Sequence, residues 1–297
     1  MAANCDNMEI YKRGGVSALG EGRNLFCERG KICYNISLVK EYLLRDIRDI
    51  ISVMRGTRFA KTHTAEEMPV ILKGHLSVIA RKLSGVDMEL QRNKETNLII
   101  AARRINGLII RPGEIFSFWR LVGKPTAKKG YLEGLTISRG RLGRAIGGGL
   151  CQLANLIHWL ILNSPLEVTE LHHHSDALFP DERRRVPFGT GTSVFYKNVD
   201  YRFKNTLSEP VQLLVWVDKG VLYGELRGNT PPKYRYVIRE EEHHFKKEGE
   251  DFFRCSKIYR DIFDRESGEL LRYELILTNH SKVMYDHSLI PKGEIKA

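Results

Sequence analysis

The sequence predicts an α+β fold with N-terminal helices, a central mixed domain and a C-terminal β meander. In the central domain, a cysteine-bearing helix that follows a glycine bend is expected to pack on an antiparallel sheet. Two observations predict this class. Apolar residues recur at helical spacing in stretches that end by residue 162, and strand-like patterns dominate from residue 166 onward. Helices that precede strands, rather than alternating with them, are typical of α+β proteins.

The N-terminal part, residues 1–94, is predicted to be mostly helical. Residues 1–35 are glycine-rich and weakly patterned, whereas apolar residues recur at helical spacing from Ile36 to Val53, with charged residues between them. We expect the apolar face of this amphipathic helix to pack on the core, with a place on a membrane surface as the alternative. Residues 70–83 mix apolar and basic side chains and are expected to be helical in part.

The central part, residues 95–228, is predicted to hold the core of the fold. Its expected elements are a helix at 95–105, strands at 108–110 and 116–119, a helix at 153–162, and strands at 168–174, 192–196, 199–203, 211–217 and 221–227. The strand at 211–217 has Gln212 as its only polar residue, so we place it at the centre of a sheet, with 221–227 as its hairpin partner.

The C-terminal part, residues 229–297, starts near the Pro231-Pro232 boundary. It is predicted to form a small antiparallel meander with strands at 234–238, 251–259 and 270–277.

The charge of the chain restricts its partners only loosely. Lysine and arginine number 47 against 36 acidic residues, a formal charge of +11. This favours an anionic polymer or a membrane surface as partner. Dedicated nucleic-acid binding is not expected, because basic and aromatic residues do not interleave as in known modules. The first residues lack a signal-peptide core, no apolar run is long enough to span a membrane, and the five cysteines are irregularly spaced, so we expect a cytoplasmic protein, with peripheral membrane association as a further option.

The best-specified stretch is Gly147-Gly148-Gly149-Leu150-Cys151-Gln152, which precedes the apolar helical run that ends at Leu162. Each glycine costs roughly 1 kcal/mol relative to alanine in a regular element, so three in a row predict a sharp bend or a close approach to another group. Cys151 is then placed at a helix N-terminus, where free N–H groups and the helix dipole stabilise a thiolate.

A cysteine and a histidine oriented by an acid can act as nucleophile and base. The histidine base would come from the run His172-His173-His174-Ser175-Asp176, in a layout similar to that of papain-type hydrolases. On a strand, His172 and His174 share one face. The alternative is that Cys151 is an inert core residue. His158, two turns along the same helix, is interpreted as a packed core histidine.

Glu114 follows the turn Arg111-Pro112-Gly113. It is a candidate general acid for a glycosidic bond if apolar neighbours raise its pKa, or it accepts backbone N–H bonds within the turn. The histidine run has a workable metal-ligand spacing, but no further metal motif accompanies it, and no metal is predicted. Because phosphate-loop, dinucleotide and Gly-x-Ser-x-Gly signatures are missing from the sequence, no cofactor is predicted either.

Several long motifs occur in register across residues 95–228. They are Asn106-Gly107, Arg111 to Trp119, Gly123, Gly130-Tyr131, Gly147 to Gln152, His174-Ser175, Val186 to Gly189 and Arg202 to Asn205. Together they resemble the VanW family, accessory proteins of vancomycin B-type resistance. The resemblance implies a role in glycopeptide resistance and, by extension, in cell-wall metabolism, with peptidoglycan or its precursors as partners.

These motifs and the histidine run outline a candidate site. Its binding residues are Gly147, Gly148, Gly149, Gln152, His172, Ser175, Asp176 and Arg202, around the catalytic candidates Cys151, His174 and Glu114. Two positions depart from many relatives. Leu171 stands where they have an arginine, and the run that starts at Gly189 lacks the aspartate of their Gly-x-Asp-Ala-Thr pattern, for which Gly191 stands here. If that aspartate orients a catalytic histidine, Asp176 or Asp200 would have to replace it.

Three hypotheses about function follow. The first is thiol-dependent hydrolysis or transfer at an amide bond of cell-wall material, in a pocket formed by Glu114, Cys151 and His174. The second is a non-catalytic binding or scaffold module for cell-wall precursors or for a protein partner. The third is glycan cleavage with Glu114 as general acid.

Overall fold

The computed structural model describes residues 30–80, 88–138, 141–173, 176–177, 180 and 186–296. Within these ranges the helices are α1 Lys31–Met54, α2 Met88–Arg103, α3 Phe118–Val122 and α4 Cys151–Leu162. The strands are β1 Arg58–Phe59, β2 Thr62–His63, β3 Val70–Val78, β4 Leu108–Ile110, β5 Glu114–Ser117, β6 Glu133–Ser138, β7 Arg141–Ile146, β8 Glu167–Glu170, β9 Asp176–Ala177, β10 Arg202–Lys204, β11 Val211–Asp218, β12 Val221–Gly228, β13 Tyr234–Glu248, β14 Asp251–Asp264, β15 Leu270–Val283 and β16 Ile295–Lys296. This mixture confirms the α+β class.

The central sheet has five antiparallel strands in the order β2-β4-β11-β12-β3. β11 lies in the middle and forms a hairpin with β12, as its apolar sequence predicts. α4 packs on one face of this sheet, where Gly224 of β12 leaves room for the helix. A Cβ atom at Gly224 would lie 2.5 Å from Leu156 and 3.2 Å from Leu160. The predicted helix on an antiparallel sheet is therefore confirmed.

The outer strand β3 corrects the expectation of partial helix at residues 70–83. It pairs with β12 from Val70 to Val78, and from Gly74 onward its residues alternate strictly between exposed and partly buried positions. The open edge of β12 supplies a full ladder of hydrogen bonds, which outweighs a weak local preference for helix. Gly74 in the middle of the segment further weakens the helical alternative.

A second sheet of four strands, β1-β5-β10-β8, lies beside the central one in the chain's largest core. β1 runs parallel to β5, and the other pairs are antiparallel. Phe116 of β5 and Phe203 of β10 stack with their ring centres 4.7 Å apart. This sheet carries Glu114 on β5 and Arg202 on β10, so it positions two of the candidate site residues.

Three predicted strands around this sheet need correction. Phe118 begins α3 instead of continuing a strand, residues 168–174 are strand only as far as Glu170, and residues 192–196 form a loop with one bridge between Phe195 and Val199. In two of these cases a side chain replaces the strand partner. The Asp200 carboxylate accepts the backbone N–H of Trp119, and the Asn155 side chain accepts that of Thr192.

The C-terminal sheet, in the order β16-β13-β14-β15-β9, confirms the predicted meander with longer strands than expected. Its separate apolar cluster is small: Phe245, Val283 and Ile290. Cross-strand ion pairs such as Arg260–Glu274, at 2.5 Å, accompany it. Asp176 of β9 pairs with Lys282 of β15.

Helix α1 is confirmed, but its orientation is the reverse of the expected one. Its polar residues Ser37, Arg45 and Asp49 are buried, whereas Leu43 and Ile47 on the opposite side are 57% and 51% exposed. The expectation that the apolar face packs on the core is therefore wrong. No helix in the described ranges is both long enough and apolar enough to cross a membrane. The division into residues 1–94, 95–228 and 229–297 stays a prediction.

Candidate functional site

Cys151 is the first residue of α4 and packs at the margin of the main core. Its Sγ donates a hydrogen bond to the carbonyl oxygen of Val194, 3.9 Å away. Burial raises the pKa of the thiol because it disfavours the thiolate; the backbone hydrogen bonds and the charge of Lys94 act in the opposite direction but do not offset it. The lowering of this pKa that a helix N-terminus would produce is therefore outweighed.

The three glycines before Cys151 make room for other parts of the same chain. A Cβ atom at Gly147 would lie 2.5 Å from the side chain of Pro125, and one at Gly148 would overlap the backbone of Gly134. Gly147 and Gly149 also adopt positive φ angles of 79° and 94°. The bend is therefore occupied by the protein itself on the sides where these Cβ atoms would point.

Polar side chains fix both ends of the bend. Nδ2 of Asn97 on α2 donates to the carbonyl oxygens of Leu132 and Gly148, each at 3.0 Å. Nε2 of Gln152 donates to Ser77 Oγ at 2.8 Å and to the carbonyl oxygen of Val78 at 2.9 Å. Gln152, predicted as a binding residue, thus fastens α4 to β3.

Glu114 is engaged in its own turn. Its Oε2 accepts the backbone N–H of Arg111 at 2.9 Å, and its Oε1 lies 3.6 Å from the Arg111 guanidinium. The adjoining backbone is held by Asn205, whose N–H donates to the Glu114 carbonyl oxygen at 3.0 Å. This is the arrangement expected if the glutamate stabilises the turn by accepting backbone N–H bonds.

In the described part of the histidine run, the rings contact Glu170 and the backbone of Gly189. Nε2 of His172 lies 3.3 Å from Glu170 Oε1, and Nδ1 of His173 lies 3.0 Å from the carbonyl oxygen of Gly189. Burial lowers the pKa of His173. The predicted site residues His174 and Ser175 lie outside the described residues. Among those described, no group of three His, Cys, Asp or Glu side chains is placed to hold a metal ion.

His158 is a packed core histidine, as interpreted from the sequence. Its Nδ1 lies 3.1 Å from the hydroxyl of Tyr201, and the residue is 1% exposed. Burial, with a smaller contribution from His173, lowers the pKa of His158 to about 3. The ring therefore stays neutral at physiological pH and serves packing.

A set of buried and half-buried charges lies under α1, and we call it the α1 charge cluster: Arg45, Asp49, Glu170, Asp200 and Arg202. Arg45 makes a two-pronged contact with Glu170 at 2.6 and 2.7 Å. Arg202 contacts Asp49 at 2.8 Å, Asp200 at 2.7 Å and Glu170 at 3.4 Å. Cations and anions from α1, β8 and β10 thus neutralise one another where little water reaches them.

The cluster shifts the ionisation of its carboxylates in opposite directions. Burial disfavours the charge on Glu170, but hydrogen bonds from His172 and Arg45 and the charges of Arg45 and Arg202 overcome it and hold the pKa at about 2. Burial raises the pKa of Asp200 despite the neighbouring Arg202. An ionised, fully paired Glu170 has no proton to donate near neutral pH, so it acts as a positioning group.

Asp200 organises the start of α3. Its carboxylate accepts hydrogen bonds from Ser117 Oγ at 2.6 Å and from the backbone N–H groups of Trp119 and Tyr201 at 3.1 and 3.0 Å. Asp176 lies in the C-terminal sheet. Whether Asp176 or Asp200 replaces the aspartate that Gly191 lacks stays a prediction, since His174 lies outside the described residues.

The position of Gly191 shows where such an aspartate would lie. A Cβ atom there would be 3.4 to 3.6 Å from the amide of Asn155, an ordinary packing distance. The backbone of Gly191 also forms a hydrogen bond with His173. A carboxylate would fit between α4 and the histidine run, and this chain has none at that position.

Sequence reasoning selected Arg202 and His172 but missed Arg45, Asp49 and Glu170. One signal could have found two of them. Arg45 and Asp49 are four residues apart and so share one face of α1, opposite the apolar stripe. Glu170 follows no motif, and only the pairing of β8 with β10 brings it to the cluster.

The fold and the site together define an α+β protein in which a glycine bend and a half-buried cysteine lead into an apolar helix on the central sheet, while a second helix is held by buried charges. A family described as "VanW like protein" matches residues 93–227. The vancomycin B-type resistance protein VanW of Enterococcus faecalis is 30% identical over 230 residues, which cover 77% of this chain and 84% of that protein. The chain belongs to the VanW family.

A second relative, the uncharacterized protein YoaR of Bacillus subtilis, is 28% identical over 120 residues, which cover 40% of this chain and 38% of that protein. No solved structure matches the chain.

Proposed function

We propose that this chain contributes to vancomycin-type resistance as a non-catalytic protein that binds cell-wall material. The link to resistance rests on the name of the Enterococcus relative and on the extent of the match. The choice of binding over catalysis rests on one observation: the Cys151 thiol is half-buried against the main core, has a raised pKa, and donates a hydrogen bond to a backbone carbonyl.

A thiol nucleophile needs a base within hydrogen-bond reach and a thiolate that is accessible near neutral pH. Among the described residues, the rings of His172 and His173 are directed at Glu170 and at the Gly189 carbonyl oxygen. Glu114, the alternative acid for glycan cleavage, is bonded within its own turn. These contacts favour a structural role for the histidines and Glu114 over a catalytic one.

The surface that we propose for cell-wall material is a hollow of about 340 Å³ on the central sheet. Trp216 of β11 and Tyr223 of β12 stack there, with ring centres 5.3 Å apart and planes 9° apart. Gly74 of β3 has no side chain that would fill the hollow, and Glu225 adds hydrogen-bond acceptors beside it. Exposed aromatic rings next to a polar group suit a sugar ring or a peptide, because they combine an apolar contact with hydrogen bonding.

Two measurements test this proposal. Alkylation of Cys151 by iodoacetamide should be slow near neutral pH and should have an apparent pKa above that of a free cysteine. In calorimetric titrations with soluble peptidoglycan fragments, Cys151→Ala should bind as the unaltered chain does, while Trp216→Ala should bind at least about tenfold more weakly. Tyr273→Ala is the matched control, since Tyr273 is an exposed aromatic on β15 far along the chain.

Rapid alkylation of Cys151 at neutral pH, together with loss of function in Cys151→Ser, would establish a thiol enzyme and overturn the proposal. Equal binding by Trp216→Ala and the unaltered chain would remove the hollow as the binding surface.

A further inference from the structure

Helix α1 carries an unbroken apolar stripe on its outer side. Its members follow one another at intervals of three or four residues and are between 51% and 82% exposed: Ile32, Ile36, Val39, Leu43, Ile47, Ile50 and Met54. This spacing keeps all seven on one side of the helix over about 33 Å of its length. We call this the α1 stripe. A continuous apolar surface of this kind marks an interaction site.

The fold presents the α1 stripe outward by fixing the opposite side of the helix. Arg45 pairs with Glu170, and Asp49 pairs with Arg202, in the α1 charge cluster. Turning the helix over would bury the stripe but would leave Arg45 and Asp49 without these partners. The orientation of the stripe therefore follows from specific buried contacts.

The side chains that flank the stripe are basic. Lys40 and Arg48 are exposed on α1, and Arg55 is exposed directly after it. Arg48 and Arg55 also line a hollow of about 380 Å³ beside Ile51. Of the three acidic residues of the helix, Asp49 is buried, Asp46 pairs with Lys197, and Glu41 lies two residues before Leu43 and so on the opposite side of the helix.

We propose that α1 docks this protein on the surface of an anionic lipid bilayer. The α1 stripe would enter the boundary between headgroups and acyl chains, while Lys40 and Arg55 contact lipid phosphates. Charge favours an anionic membrane over a second copy of the chain as the partner that covers the α1 stripe. Two chains of charge +11 would bring their basic flanks together, whereas an anionic membrane attracts them. The inference goes beyond the proposed function and does not depend on the hollow at Trp216.

The test is sedimentation of the full chain with two kinds of vesicle, phosphatidylcholine alone and an equal mixture with phosphatidylglycerol. We expect binding to the mixed vesicles, at least tenfold weaker binding to phosphatidylcholine alone, and weakening by added salt. Leu43→Glu with Ile47→Glu should reduce binding to the mixed vesicles by at least tenfold. Lys40→Glu with Arg55→Glu should abolish the preference for anionic lipid.

The matched control is Leu271→Glu with Leu275→Glu, which places the same charges at two leucines of β15 that are 50% and 53% exposed. It should bind as the unaltered chain does, and circular dichroism should show that every variant is folded. Failure of the unaltered chain to bind mixed vesicles would overturn the proposal. So would equal losses in the control and stripe variants, or a dimer in light scattering that Leu43→Glu with Ile47→Glu converts to monomer.

Discussion

Helices α4 and α1 are both amphipathic in sequence, yet they are attached to the protein in opposite ways. α4 is held by its apolar residues, with Leu153, Leu156 and Ile157 at most 2% exposed. α1 is held by Arg45 and Asp49, and its apolar residues face outward. Apolar periodicity predicts that a segment is a helix, but the partners available in the fold decide which face is buried.

The two helices also depend on different interactions for their stability. Close packing around α4 is sensitive to added volume, whereas the contacts of α1 depend on every charge having a partner. The largest effect on stability is expected for a substitution in the bend that leads into α4.

Gly148→Val should destabilise the protein by more than about 4 kcal/mol or prevent folding, since the added side chain would overlap the backbone of Gly134. Chemical unfolding followed by circular dichroism measures this. Gly74→Ala is the control: a Cβ atom there meets only Glu225, at 4.0 Å, and should change stability by less than about 1 kcal/mol. A folded Gly148→Val variant of ordinary stability would mean that the bend is not packed against Gly134.

Acid should first destabilise the protein through the protonation of His158 on α4. The pKa of His158 is about 3 in the folded protein, below the ordinary histidine value near 6.5, so the unfolded chain takes up the proton first as the pH falls. The stabilisation that this gives is complete above about pH 6.5 and is lost between there and about pH 3, an effect of roughly 5 kcal/mol. Urea unfolding at a series of pH values measures the slope, which His158→Gln should flatten. An unchanged slope would contradict a neutral, buried ring.

Glu170 adds a second loss at lower pH, because its pKa of about 2 lies below that of a glutamate in an unfolded chain. Its contribution is present above the unfolded value, near 4.5, and disappears as the pH falls towards 2. Acid should therefore lower the stability of the protein in two successive pH ranges, first through His158 on α4 and then through Glu170 in the α1 charge cluster.

Arg45→Met should cost about 3 kcal/mol, because it leaves the buried carboxylate of Glu170 without its closest cation. Asp46→Asn is the control on the same helix. It breaks the pair with Lys197, whose partners are 30% and 46% exposed, and should cost less than about 1 kcal/mol. Urea unfolding of both variants measures the two losses in the free energy of unfolding. Equal costs would mean that the α1 charge cluster is no more buried than a surface ion pair.

Much of the fold was predictable from sequence, because several segments carry a strong periodic signal. The hairpin of β11 and β12 and the helix that starts at Cys151 follow directly from their apolar patterns. β3 was not predictable, since its strand character depends on the edge that β12 offers. The loop at residues 192–196 owes its shape to Asn155 on α4, a contact between segments 37 residues apart.

The close approach at the glycine bend was predictable from the sequence, but the environment of Cys151 was not. The glycines before Cys151 do mark a close approach, and the group approached is another part of the chain. The sequence could not indicate that burial would raise the thiol pKa, since that depends on how the core closes around the sulfur. The α1 charge cluster combines α1, β8 and β10, which only the tertiary fold brings together.

The smallest expected effect is the sharpest test of the comparison between the two helices. Leu156→Ala on α4 should cost about 3 kcal/mol, because it removes a side chain that is 2% exposed and packs against Gly224. Leu43→Ala on α1 should stay within about 0.5 kcal/mol, because that side chain is 57% exposed. Urea unfolding without lipid compares the two identical substitutions. A cost above about 1 kcal/mol for Leu43→Ala would show that something in the free protein covers the α1 stripe, since a surface reserved for a membrane contributes nothing to folding until the membrane is present.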